Sequence, residues 1–186
     1  MSNVEPISRF GRFMRFIAAR AVAPFVLMCA FAVTACKSPP PPPPPPPTIV
    51  HIDVNAIDKV NPDRSGRPSP VLVRVYELKA TAAFDSADFF TLYGKDQATL
   101  GADLNAKNEF LLKPGDKQSV EQPVQPGTKF IAVVAAYRDI ERSRWRATAP
   151  VPPNQTTIMS VSIDTADVSI AAKPAPAPPP SKKKAK

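Results

Sequence analysis

Cys36, His51 and the pair Arg64 and Arg67 are the side chains in this 186-residue chain whose types and spacing could do chemistry. Cys36 closes the run Val33-Thr34-Ala35-Cys36, small residues ahead of a thiol. That order has the form of a bacterial lipobox, in which the thiol takes a diacylglycerol and the cysteine amine becomes the new N-terminus and is acylated. His51 is the only histidine and falls on the polar side of an alternating apolar run, where a solvated surface residue is expected rather than a catalytic base. Arg64 and Arg67 lie between two apolar runs and offer planar forks for carboxylates on a partner.

Other reactive patterns are missing. The sequence holds no metal-ligand spacing of Cys or His, no Gly-x-Ser-x-Gly elbow and no glycine-rich phosphate loop, with six glycines in all. Asn154-Gln155-Thr156 has the form of a glycosylation acceptor, which a bacterial lipobox discounts. The two cysteines, Cys29 and Cys36, both fall in the first 36 residues, so the remaining chain is expected to fold without a disulfide. A non-enzyme with no cofactor is expected, its one added group being the diacylglycerol and N-acyl lipid on Cys36.

The element that must present Cys36 is an export signal over residues 1–35. Arg9, Arg12, Arg15 and Arg20 supply a basic region, and residues 21–35 an apolar one. A membrane-spanning helix needs about 20 apolar residues; here Arg20 on one side and Lys37 with a proline tract on the other leave too few. Met14 would give a more compact signal than Met1. Residues 39–47 are an unbroken proline run, a polyproline II spacer of ~3.1 Å per residue that spans roughly 28 Å. At the other end, residues 173–186 alternate proline with alanine and finish in lysines, a composition expected to be disordered.

Residues 48–172 suit one domain of ordinary size. The formal charge of +8 is carried by the flanks: fourteen basic residues fall within 48–172, against fifteen acidic ones. A near-neutral domain gives no electrostatic footprint for nucleic acid. Val50, Ile52, Val54 and Ala56 alternate with polar residues, as do Val71, Val73 and Val75. Residues 110–112 run into a Lys113-Pro114-Gly115-Asp116 turn, and a polar strand around Val120 meets a second turn at Gln125-Pro126-Gly127. Residues 130–136 read as a central strand, 156–163 alternate again, and Val168 with Ile170 suggests a last edge strand. These strands predict a mainly β, two-sheet sandwich.

Residues 81–104 turn helical: Asp85 can cap, Phe89, Leu92 and Tyr93 share a face, and Gly94 can end the first helix before a second at 96–100. A helical insertion packed against one end of the sandwich is expected. Phe84, Phe89, Phe90 and Tyr93 would form its private core. The segment that positions Arg64 and Arg67 is the connection 58–70, long for a hairpin and stiffened by Pro62, Pro68 and Pro70. A preorganised contact loop and a plain polar connection are both open on these residues alone.

Asn61-Pro62-Asp63, Gly66-Arg67-Pro68-Ser69-Pro70-Val71, Val73-Arg74-Val75-Tyr76-Glu77-Leu78 and Phe84…Asp88-Phe89 together resemble the TssJ lipoproteins of type VI secretion systems. Leu112-x-Pro114-Gly115, Ala135-x-Tyr137-Arg138-Asp139 and Trp145-Arg146 continue the resemblance in order, over nearly all of the domain. It implies a transthyretin-like sandwich with a small helical addition. It implies an outer-membrane lipoprotein on the periplasmic face, held by lipid in the inner leaflet, that docks the periplasmic C-terminal region of TssM. It assigns partner contact to the first inter-strand loop, here Asn61, Pro62, Asp63, Arg64, Ser65, Gly66, Arg67 and Pro68. Lys37, in place of an aspartate tied to inner-membrane retention, fits outer-membrane sorting. Tyr137, Arg138, Trp145 and Arg146 are expected to build a stacked, hydrogen-bonded corner. The proline run and lysine tail depart from the family pattern. Two other functions stay open: a transthyretin-like carrier of a small apolar ligand, and an envelope protein that uses its lysines on anionic wall polymer.

Overall fold

Period-two alternation places β1 at Ile49–Ala56, where every second residue from Val50 to Ala56 is buried. The computed structural model describes residues 41–176; the signal segment, Cys36 and residues 177–186 lie outside them. The chain divides into units Met1–Pro43 and Pro44–Lys186, and the second is described below. β2 is Val71–Leu78, β3 Leu104–Leu112, β4 Lys117–Pro123, β5 Phe130–Ala136, β6 Arg146–Pro150, β7 Thr156–Ile163 and β8 Val168–Pro174. Among the described residues these strands form two four-stranded sheets, ordered β4-β1-β7-β8 and β3-β2-β5-β6. β1 and β7 run parallel, Ile49 beside Thr156, and the other pairs are antiparallel. The fold is the mainly β, two-sheet sandwich with a small helical part that the strand pattern predicts.

Val50, Ile52 and Val54 of β1, with Met159 and Val161 beside them on β7, share the inter-sheet core with Val73, Val75, Ile131 and Val133. A second core lies on the outer face of the β3-β2-β5-β6 sheet, where Tyr76, Leu78, Ala132 and Val134 receive Phe84, Leu92 and Leu100. This corrects the expected position of the insertion. It covers a sheet face and not the end of the sandwich, because β5 is apolar on both sides and both sides need cover. The cover is α1, Ala82–Ser86, and α2, Phe89–Leu100. Asp88, and not Asp85, caps α2: its carboxylate accepts from the Thr91 N–H at 2.9 Å, and from the Thr91 hydroxyl, which hold its pKa below the ordinary value. Lys95 leaves the helical conformation (φ −140°, ψ 38°), so α2 breaks just after Gly94 into two short helices, the second running to Leu100, as the sequence pattern predicts.

Both cores draw on residues between Val50 and Ile170, so the unit supplies its own apolar interior. β8 extends to Pro174, two residues into the segment expected to be irregular. Lys173 stands opposite Ile158 and Pro174 opposite Thr157. An edge strand tolerates that proline, since it has no partner on its outer side.

The strand directions sort the connections into two ends. At one end the chain enters β1 after Pro47 and Thr48, and Ala175 leaves β8 by donating to the Thr156 carbonyl at 2.9 Å. The β4–β5 and β6–β7 loops share that end. At the other end lie the β1–β2, β3–β4, β5–β6 and β7–β8 loops. Strands of eight residues at about 3.3 Å each set the two ends roughly 26 Å apart.

Candidate functional site

The far end is stitched together by the long β1–β2 loop, residues 57–70. Val60 is fully buried and roots the loop in the inter-sheet core. Asn61, 3 % exposed, has a positive φ of 49°, a conformation that asparagine tolerates better than most side chains. Its Nδ2 donates to the Pro70 carbonyl at 2.7 Å, and its Oδ1 accepts the Arg138 N–H at 2.8 Å. Its own N–H donates to the Thr165 carbonyl. One side chain with its backbone thus joins the β1–β2, β5–β6 and β7–β8 loops. Tyr137 adds a second stitch: its hydroxyl donates to the Asp167 carbonyl at 2.6 Å, and burial pushes its pKa above the ordinary value of a phenol.

The loop tip is built on Asp63. Its Oδ1 accepts the N–H groups of Ser65 at 2.8 Å and Arg67 at 3.0 Å. Its Oδ2 takes Nε and Nη2 of Arg67 at 2.9 and 2.8 Å. Gly66 donates its N–H to the Asp63 carbonyl and sits at φ 78°, a left-handed position suited to glycine. The N–H of Arg67 is the largest influence holding the Asp63 carboxyl below its usual range.

The residues expected in the contact loop therefore separate by role. Asn61 is an internal pin whose side chain faces no partner. Asp63 and Arg67 are bonded to each other. Arg64, Ser65, Gly66 and Pro68 are exposed, with Pro62 half-buried at the base. Across a cleft of about 740 Å³ the tip faces Arg138, Asp139, Glu141 and Arg142 of the β5–β6 loop. Asp139 and Arg142 approach at 3.8 Å. Among the described residues, the guanidinium groups of Arg64 and Arg138 have no carboxylate within salt-bridge distance. The rim of this cleft thus presents two forks for anionic groups, on a backbone already fixed.

The β5–β6 half of the cleft is less visible in sequence than the β1–β2 half. Arg138, expected at the corner, serves there through its backbone N–H, while its side chain is exposed. The rest of the corner is split. Trp145 packs edge-on against Phe89 at 5.3 Å, and the Arg146 guanidinium lies 4.7 Å over the Trp145 ring. Arg146 Nη1 donates to the carbonyls of Phe84 and Ala87 at 2.9 and 2.8 Å. Trp145 and Arg146 thus tie the helices to the sheet.

His51 lies on the open face of the β4-β1-β7-β8 sheet. Its Nδ1 is 3.2 Å from Glu121 Oε2, and its Nε2 is 3.2 Å from both Ser119 Oγ and Asp53 Oδ1. Serine, histidine and carboxylate follow one another as in a triad, but the Ser119 hydroxyl donates to Asp53 at 2.7 Å, so its proton is not aimed at the imidazole. The cluster is a cross-strand network between β1 and β4. Among the described residues no group of three His, Cys, Asp or Glu could hold a metal ion. No described helix is long and apolar enough to cross a membrane.

Fold and site together define a class, a two-sheet β-sandwich module with a helical cover and a stitched loop rim at the end opposite its chain entry. The chain belongs to a family of that class, the type VI secretion lipoproteins (VasD, EvfM, TssJ), which matches residues 48–166. This is a family of secretion-system lipoproteins, not of enzymes. Among solved structures, the T6SS lipoprotein TssJ1 from Pseudomonas aeruginosa is 40% identical with a TM-score of 0.68, over 70% of this chain and 100% of that one. A chain of a structure described as a type VI membrane complex is 28% identical with a TM-score of 0.55, over 69% of this chain and 98% of that one. Serratia marcescens Lip, a membrane-bound component of the type VI secretion system, is 24% identical with a TM-score of 0.62 over 69% of this chain and 99% of that one, and shares the fold. No relative is found among curated protein sequences.

Proposed function

We propose that this lipoprotein is anchored through a lipid on Cys36 to the periplasmic face of the outer membrane and docks the periplasmic C-terminal region of TssM, fixing the secretion membrane complex there. The observation that carries the reading is the placement of the arginine-rimmed loops at the end of the sandwich opposite the chain entry. An anchor upstream of Thr48 joins the sandwich at its entry end, and the rim lies at the other end, roughly 26 Å along the strands. TssM as the partner draws support from a chain of the structure described as T6SS protein TssM C-terminal domain (869–1107) from EAEC, 28% identical with a TM-score of 0.56 over 66% of this chain and 99% of that one.

The work done is tethering, without catalysis or cofactor: Cys36 holds the lipid, residues 39–47 give reach, and the rim gives affinity. Stitching of Asn61 and Asp63 lowers the entropy lost when the loop meets a partner. A carrier of apolar ligands draws no comparable support, since Val50, Val73, Val133 and Met159 fill the space between the sheets. The test is titration of residues 37–186 with the TssM periplasmic fragment. Arg64→Glu combined with Arg138→Glu is expected to weaken binding at least tenfold, the scale of an interfacial arginine. Unchanged affinity would remove the rim from the reading.

A further inference from the structure

Trp145 closes the β5–β6 loop where the two cores meet. Of the partly buried apolar residues described, it alone packs against both, the inter-sheet core and the one beneath the helices. Its ring lies edge-on to Phe89, the first residue of α2, at 5.3 Å, and Phe89 stacks in turn on Tyr93 at 5.3 Å. The face of β5 is covered by Phe84, Leu92 and Leu100, whereas Phe89 is half-buried and turns its ring to Trp145. The Trp145 carbonyl accepts the Ala135 N–H at 2.8 Å, which holds this segment to β5. One residue earlier, Arg144 donates its N–H to the Ala166 carbonyl and accepts the Val168 N–H, both at 2.9 Å, which holds the segment to the opposite sheet. One residue later, Arg146 bonds the carbonyls of Phe84 and Ala87 at the close of α1. Three consecutive residues therefore join both sheets and both helices.

This junction is one of two attachments of the segment that lines the docking cleft. Arg138, Asp139, Glu141 and Arg142 face that cleft. At the first attachment the Tyr137 hydroxyl is bonded to Asp167 and the Arg138 N–H to Asn61. Beyond it the hydrogen bonds among the described residues are internal: the Arg142 N–H donates to the Asp139 carbonyl, and the Ser143 N–H and hydroxyl to that of Ile140. A turn closed on itself takes its position from its two ends. The first end is polar and lies within the rim. The second depends on the helices, against which Trp145 packs and Arg146 bonds.

We infer that Trp145 is a positioning residue of the docking rim, through which the helical cover sets the β5–β6 side of the cleft and with it Arg138 and Arg142. The helices thereby serve docking without lying in the cleft. Linkage makes the effect reciprocal, so a partner bound at the rim must stabilise the contact between Phe89 and Trp145 to the same degree.

The positioning role rests on TssM docking at this rim, and its test separates the two. Residues 37–186, which contain both cores, are titrated with the TssM periplasmic fragment at a temperature where circular dichroism shows every variant folded. Phe89→Ala leaves the rim residues and Trp145 in place and is expected to weaken binding at least about fivefold, the low end of coupling between linked sites. Leu100→Ala empties the same helical core at its other end and should change affinity by less than about twofold. Trp145→Phe keeps a ring against Phe89 and should retain affinity, whereas Trp145→Ala should lose as much as Phe89→Ala. Amide exchange within residues 89–94 should slow when the fragment binds, and Phe89→Ala should abolish that slowing at saturating fragment. Equal losses in Phe89→Ala and Leu100→Ala would mark a role in stability alone and overturn the inference. Slowing that persists in Phe89→Ala would overturn it too, as the sign of direct contact with the fragment. Undiminished binding by Arg64→Glu combined with Arg138→Glu would instead remove the docking reading. Weakened binding there, with full affinity in Phe89→Ala, would overturn the positioning role alone.

Discussion

At the scale of single residues, Asn61 and Arg64 differ although they stand three positions apart. Asn61→Ala removes two partly buried hydrogen bonds, strands the Arg138 N–H and the Pro70 carbonyl, and leaves alanine at positive φ. A loss of about 3 kcal/mol in urea unfolding is expected. Arg64→Glu removes no intramolecular bond and should change stability by less than about 0.5 kcal/mol. The expected partner effect thus falls on Arg64, and the stability effect on Asn61. The sequence drew both into one contact loop because its prolines, glycine and arginines are visible as a stretch. Burial of Asn61 was not visible, since its bonds reach residues up to 77 positions away. The internal Asp63–Arg67 pair was open to sequence, as an acid and a base four apart around a glycine.

At the scale of elements, the helical cover is held by charge as well as by Phe84 and Leu92. Asp96 of α2 accepts from Lys107 Nζ at 2.8 Å, approaches Arg74 Nη1 at 3.4 Å and meets the Tyr76 hydroxyl at 3.3 Å. Arg74 also reaches Glu109 at 2.7 Å and the Tyr93 carbonyl at 2.6 Å, and covers the Tyr93 ring at 4.3 Å. Burial works against charge on Asp96, but Lys107, the Gln97 N–H and Arg74 outweigh it and hold its pKa below 3.8. A carboxyl with a lowered folded pKa contributes its full stability above its unfolded value and loses it as pH falls through the folded one. The helix should therefore loosen below about pH 4. Trp145, the only tryptophan, reports this by fluorescence because Phe89 packs on it. In Asp96→Asn that acid step should vanish. Phe84→Ala should cost about 3–5 kcal/mol, the usual range for emptying a buried aromatic site. Sequence located the helices and most strands, because alternation and turn residues are local signals. It missed β6, five residues ending in proline, and most of β3, whose Leu104–Glu109 portion is a polar edge. Placing the helices on a face needed the two-sided burial of β5, a tertiary fact.

At the scale of the whole molecule the sandwich has two ends: chain entry and chain exit at one, stitched arginine loops at the other. Parallel pairing of β1 with β7 makes this possible, since it sets the start of β7 beside the start of β1 and, next to β7, the exit of β8 at the same end. Cys36→Ser should leave the domain folded and shift it from the membrane to the soluble periplasmic fraction; retained membrane sedimentation at high salt would contradict the lipid anchor. The most direct test of the two-ended arrangement is site-specific crosslinking in cells with a working secretion system. A photo-crosslinking amino acid replaces Arg64 in one strain and Pro126 in another, both in the full lipoprotein. Capture of TssM from position 64 and not from position 126 is the predicted result. Capture from 126 and not from 64 would contradict the account.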